Sequence, residues 1–110
     1  MQFNSHLAVA DVLLRIEAEM RECSLWSLQA PIEKALQSIQ PFCVDTLQFT
    51  EWLQFVFLPK MKEIIEQGWL LPSSSDISAM AEESFSLYPV NTNNLLNLLI
   101  ECDEILMGGH

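Results

Sequence analysis

The stretch from Gln40 to Met61, QPFCVDTLQFTEWLQFVFLPKM, constrains the fold more than any other part of the chain. It carries four Phe and one Trp, with Pro41 and Pro59 near its two ends. Read as a helix over 50–67, it is apolar nearly all round in its first half, and such a helix must be covered by neighbours on most sides. Thr50 is the expected N-cap, with Glu51 in the first turn facing the positive end of the helix dipole. Trp52, Phe55, Val56, Met61, Ile64 and Ile65 supply the buried side, and Phe49, Leu53 and Phe57 widen it. Pro59 removes a backbone bond and crowds the preceding turn, which predicts a kink. Gly68 then ends the helix as its left-handed C′ residue. This helix is expected to be central, with the others packed around it.

Four further helices follow from 3.6-residue periodicity. Over 5–24, with Ser5 as N-cap, Val9, Leu13, Ile16, Met20 and Cys23 recur at 4-3-4-3 spacing and form one face. Glu17 and Arg21 make an i,i+4 ion pair in the favourable order. A short helix over 31–38 has Pro31 at its first position, turns Ile32, Ala35, Leu36 and Ile39 inward, and ends at Gln40-Pro41. A helix over 77–87 points Ile77, Met80, Ala81 and Phe85 inward. The last, over 92–107, carries a stripe of Leu95, Leu98, Leu99, Cys102, Ile105 and Leu106 and stops at Gly108-Gly109. Strand-like alternation bounded by hairpin turns is missing from the sequence. The chain therefore reads as all-α: a helical bundle of four main helices plus a short helix, forming a single domain over 1–110. The same stripes serve packing within one chain or across a homodimer, and the sequence leaves both open.

Charge narrows the function. Fifteen acids face five bases, for a formal net charge of −10, and from Glu63 to His110 there is no Lys or Arg. Phosphate backbones are held by Lys and Arg that displace counterions, so direct nucleic-acid binding is not expected. Anionic membrane surfaces repel such a chain as well, and the long uncharged stretches contain Tyr, Pro and Asn rather than a membrane span. A basic protein partner is compatible, because opposite fields steer association. Cys23, Cys43 and Cys102 show no metal-ligand spacing, and an odd count without a signal-like opening points to the reducing cytoplasm.

Catalytic patterns are not found: there is no nucleophile elbow, no glycine-rich phosphate loop and no dinucleotide fingerprint. His6 and His110 lack the convergent partners a metal needs, so neither a metal nor another cofactor is expected. Glu82-Glu83 and the group Glu101, Asp103, Glu104 read as solvated helix faces. Asp45-Thr46, between the aromatic anchors Phe42 and Phe49, is either a turn or cap or a polar spot in an aromatic surface. Gln54 sits in an apolar run and must face solvent or find a buried partner. Cys43 and Cys102 read as small core residues, and the acids around Cys102 raise its pKa. The three Trp read as core, with Trp69 the one expected to stay partly exposed and open to a partner.

Gln40, Pro41, Phe42, Asp45, Thr46, Glu51, Trp52, Leu53, Gln54, Val56, Pro59 and Met61 together form a motif that resembles the YqcC-like family of small gamma-proteobacterial proteins. Trp26, Leu71-Pro72 and the helix after them extend the similarity over nearly the whole chain, while Ser78 stands where that family is expected to have Pro. The resemblance implies an all-α bundle and supplies no catalytic residues. Family genes often stand beside a tRNA pseudouridine synthase gene, which implies that enzyme as a partner. The expectation is thus a non-catalytic interaction module, an acidic accessory partner of an RNA-modifying enzyme, with Phe42, Asp45, Thr46, Trp52, Gln54 and Trp69 as candidate partner-binding residues. The alternative is a helical module that binds a small apolar ligand between its helices.

Overall fold

A computed structural model describes residues 2–73 and 76–108, with side chains from residue 5 onward. His110, Gly109 and two serines of the 69–76 link lie outside the described residues. Six α-helical segments follow in order: α1 (Gln2–Glu22), α2 (Glu33–Leu36), α3 (Phe49–Trp52), α4 (Leu58–Gln67), α5 (Ile77–Phe85) and α6 (Asn93–Gly108). A π-helical turn, Leu53–Phe57, joins α3 to α4, so 49–67 is one continuous helix. Among the described residues there is no strand.

The bundle closes around four long helices. α6 packs between α1 and α5, while the 49–67 helix touches α1 through α4 and α5 through α3. That helix is accordingly one wall of four, and α1 on α6 is the most extensive contact. The core is continuous: Val9, Val12, Leu13, Ile16 and Met20 of α1 meet Leu53, Leu58 and Met61, then Ile77 and Ala81, then Leu95, Leu99, Cys102 and Leu106. Full burial of each of the larger apolar side chains is worth about 1.5–3 kcal/mol.

Several local expectations are corrected. α1 starts at Gln2, so Ser5 is not its cap but a buried residue inside the helix. The second helix shrinks to Glu33–Leu36, and Ile32 and Ile39 point into solvent. Four residues make barely one turn, too short to present an inward stripe. Gln48, not Thr50, precedes α3, and its N–H donates to the Glu51 carboxylate at 2.9 Å. The expected kink at Pro59 is realised as the π turn just before it. Leu58 N–H reaches back to the Leu53 carbonyl, which widens the ladder where the proline ring would otherwise crowd it. The extra residue also rotates the buried face: Phe49, Leu53, Phe57 and Leu58 are deep, while Trp52, Phe55 and Val56 are half-buried.

Helix ends show why some residues sit where they do. α1 ends with Ser24 at φ 60°, Leu25 N–H on the Met20 carbonyl at 2.8 Å and Ser24 N–H on Arg21 at 3.1 Å. α4 ends in the same way, with Gly68 at φ 69° and Trp69 N–H on the Ile64 carbonyl at 3.0 Å. Both are the paired-bond, left-handed termination that favours glycine. At the start of α5, Asp76 makes no side-chain capping bond. Asp103 of α6 takes that role from across the bundle, accepting from Ser78 N–H at 2.7 Å and Ile77 N–H at 3.4 Å. Asp103 is therefore buried rather than part of a solvated face, because the first N–H groups of a helix need an acceptor. Ser78 supplies an N–H that a proline there would lack.

Candidate interaction groove

Pro41 to Leu47 form a tight turn with two successive left-handed residues, Phe42 at φ 57° and Cys43 at φ 50°. Each costs a non-glycine residue about 1–2 kcal/mol. Packing offsets that cost: the Phe42 ring stands edge-on to Trp52 at 4.8 Å between centroids, and the Cys43 side chain is buried. Trp52 stacks on Phe49 at 5.9 Å and on Phe57 at 5.4 Å. Phe49 meets Phe85 edge-on at 5.6 Å, and Phe85 meets Tyr88 at 5.7 Å. One connected aromatic cluster thus joins the 41–47 turn, α3 and the end of α5.

Polar bonds brace the same region. Thr46 Oγ1 donates to the Ala35 carbonyl at 2.6 Å, and Ser38 Oγ donates to Asp45 at 2.5 Å. These bonds tie the 33–38 segment to the turn, so Asp45 and Thr46 act as turn residues in which Asp45 stays exposed. Tyr88 and Thr50 pair through their hydroxyls at 3.2 Å, pinning the chain after α5 to α3.

Between the 44–49 segment and α5 lies a trough of about 440 Å³, lined by Val44, Leu47, Phe49, Met80, Leu87 and Tyr88 among others. Its volume matches that of small-molecule sites, but those enclose most of their ligand, whereas this trough opens to solvent. Two of its apolar side chains are left in water: Leu87 is 85% exposed and Val44 55%.

The remaining sequence-derived candidates lie elsewhere. Gln54 is buried and finds the partner it needs: its Nε2 donates to the Ser27 carbonyl and its Oε1 accepts from Ser27 N–H, both at 2.8 Å. It clamps the loop after α1 to the π turn. Trp69 is half exposed, and its carbonyl accepts a 2.7 Å bond from His6 Nε2. The structure brings Phe42 and Trp52 together, sets Asp45 and Thr46 beside them, and keeps Gln54 and Trp69 apart. Trp26 is half-buried under the Arg21 guanidinium, 4.5 Å from its ring centroid. The sequence reading did not single out Leu47, Met80 or Tyr88 as a group, because nothing in their spacing announces that a turn and a helix end will converge.

Several bases are occupied by ion pairs. Arg15 pairs with Glu101 on α6 and with Asp11, and Arg21 and Lys62 both reach Glu17. The bond from Arg15 holds Glu101 below the usual carboxylate range. Desolvation pushes the Glu17 carboxyl up, but the bonds from Arg21 and Lys62 outweigh it, and its pKa is lowered. Among the described residues, no group of three or more His, Cys, Asp or Glu converges in a way that could hold a metal ion, and no helix is long and apolar enough to cross a membrane.

Fold and site together define a small all-α bundle with a largely apolar surface trough that Phe49 and Tyr88 help to line. The chain belongs to the DUF446 family, described as tRNA pseudouridine synthase C, whose model matches residues 8–105. It is 33% identical over 93 residues to an uncharacterised protein of Haemophilus influenzae, covering 84% of this chain and 87% of that one. YqcC of Escherichia coli, also uncharacterised, is 32% identical over 78 residues, 71% of this chain and 72% of that protein. The solution NMR structure of YqcC from E. coli superposes with a TM-score of 0.81 at 28% identity, covering 94% of this chain and 88% of that one. A protein of Pectobacterium carotovorum named tRNA pseudouridine synthase C is 41% identical over 66 residues, 60% of this chain but only 18% of that protein.

Proposed function

We propose that this chain is a non-catalytic interaction module that serves an RNA-modifying enzyme of the tRNA pseudouridine synthase kind. The observation that carries the reading is the Pectobacterium relative. The stretch similar to this chain makes up 18% of a protein named for that enzyme, so 82% of its length lies outside the match. Two segments on one polypeptide are held at high effective concentration. A separate chain has to reach the same neighbour through its surface. Charge supports that encounter: an enzyme that grips tRNA needs Lys and Arg for the phosphates, and this chain carries −10. Opposite fields speed association and fall off with salt.

The test is to mix the purified chain with the tRNA pseudouridine synthase of the same organism and follow complex formation by calorimetry at low and high salt. A complex at low salt that weakens at high salt is expected, with pseudouridine formation on tRNA changed by the added chain. Failure to associate at either salt rules the proposal out.

A further inference from the structure

The trough between the 44–49 segment and α5 combines a largely apolar lining with walls that carry no cation. Both walls come from stretches without a base: residues 35–59 and 63–110 contain no Lys or Arg. Two exposed acids are sequence neighbours of lining residues. Asp45 follows Val44 and stays exposed, and Glu83 precedes Ser84 on α5, one turn on from Met80, and is exposed too. Most of the trough's lining is apolar, through Val44, Leu47, Phe49, Met80 and Leu87, with Gln48, Ser84 and Tyr88 as its polar members. Exposed carboxylates close to an apolar trough suit a segment with apolar side chains on one face and cationic ones flanking them.

The trough is also pre-formed. Phe49 and Tyr88 of the aromatic cluster line it, one wall is fixed by the Thr46–Ala35 and Ser38–Asp45 bonds, and the other by Tyr88 on Thr50. A ligand that enters need not order either wall, which removes a cost that binding otherwise carries. Leu87 and Val44 stand out into solvent on this rigid base, as anchors available to a partner.

We propose that this trough docks a basic amphipathic segment of a protein partner, with apolar side chains seated on Val44, Met80 and Leu87 and Lys or Arg side chains against Asp45 and Glu83. The proposal rests on the interaction-module reading above and locates the surface through which it acts.

The test titrates the isotope-labelled chain with a twelve-residue helical peptide built from Leu and Lys, and with the same peptide carrying Glu for Lys, while amide shifts are followed by NMR. The Leu/Lys peptide is expected to shift amides over 44–49 and 80–89, and the Leu/Glu peptide to shift none. Leu87→Lys places a cation on an exposed position of the trough and is expected to weaken binding at least tenfold. Leu14→Lys makes the same charge change on an exposed position of α1 and is expected to change it less than twofold. Equal effects of the two variants, shifts spread over α1 and α6, or shifts over 44–89 that depend on protein concentration without peptide would each overturn the proposal. The last result would assign the trough to a second copy of the chain. Repeating the two variants with the synthase separates the two readings. Loss only in Leu87→Lys supports both. A synthase that binds wild type and Leu87→Lys alike removes the trough and leaves the module reading. Peptide docking without synthase binding does the reverse.

Discussion

Gln54 offers the sharpest quantitative test of the structure. Its carboxamide makes two 2.8 Å bonds to the peptide groups of Ser27, and the side chain is buried. Gln54→Met keeps the length and shape and removes both bonds. At about 1 kcal/mol net for each, the loss is about 2 kcal/mol. A chain of 110 residues gains roughly 2.1 cal/mol/K of unfolding entropy per residue, so each kcal/mol moves the midpoint by about 4 °C and the variant melts about 9 °C lower. Gln54→Glu separates donor from acceptor. The introduced carboxylate still accepts from Ser27 N–H but faces the Ser27 carbonyl oxygen with no proton to donate, so its loss above neutral pH reaches about 3–4 kcal/mol. The folded state then favours the protonated form, and the folded pKa of that carboxyl lies above its unfolded value of about 4.3. The penalty is complete above the folded pKa and shrinks as pH falls toward the unfolded value. Urea unfolding followed by tryptophan fluorescence across this range measures both variants. A Gln54→Met midpoint equal to wild type, or a Gln54→Glu deficit that does not shrink with acid, would refute the clamp.

The two left-handed helix ends make an internal pair: Ser24→Gly relieves a non-glycine φ of 60° at an exposed site and is expected to stabilise by about 1 kcal/mol, while Gly68→Ala, at φ 69° with open space around it, is expected to cost about as much. Thermal melts of the two variants should move in opposite directions. Asp103→Ala strips the acceptor from the start of α5 and is expected to lose about 2 kcal/mol, with Asp103→Asn losing less because its amide oxygen can still take one N–H. Burial, then Glu19, pushes the Cys23 thiol up to about 11, and burial, then Asp103 and Glu101, pushes Cys102 up to about 12. At mildly alkaline pH both should therefore alkylate at least about a hundredfold more slowly in the folded chain than in urea, read by mass spectrometry. Because the folded state holds these protons more tightly, stability is expected to fall as pH rises past the ordinary thiol value of about 9.

Periodicity was enough to find every long helix, because an apolar stripe is a local pattern that survives into the fold. Val9, Leu13, Ile16 and Met20 lie in the core as their spacing implies, as do Leu95, Leu99 and Cys102. The all-α bundle was legible for the same reason, and the family through the resemblance carried by the motif from Gln40 to Met61. What the sequence hid were arrangements that depend on distant residues. Asp103 looked like one acid among three on a solvated face; only the position of α5 shows that it ends a helix start 26 residues earlier in the chain. Gln54 announced a need for a partner without naming Ser27. Ile32 and Ile39 satisfied a helical pattern over a segment that forms barely one turn, so their apolar character carried no information about burial. The trough is the extreme case: its walls come from 44–49 and from 80–89, and no spacing rule connects them.

The cap that Asp103 places on α5 also bears on the order in which the chain can settle. A polypeptide is made from its first residue onward, and segments fold as their contacts become available. α5 makes no side-chain capping bond of its own at Asp76, so its first turn is complete only when the 103 position has arrived and α6 has docked. The first turn of α5 is therefore a late event by construction. A nascent or truncated chain that stops short of Asp103 would present it frayed, at the start of the helix that forms one wall of the trough.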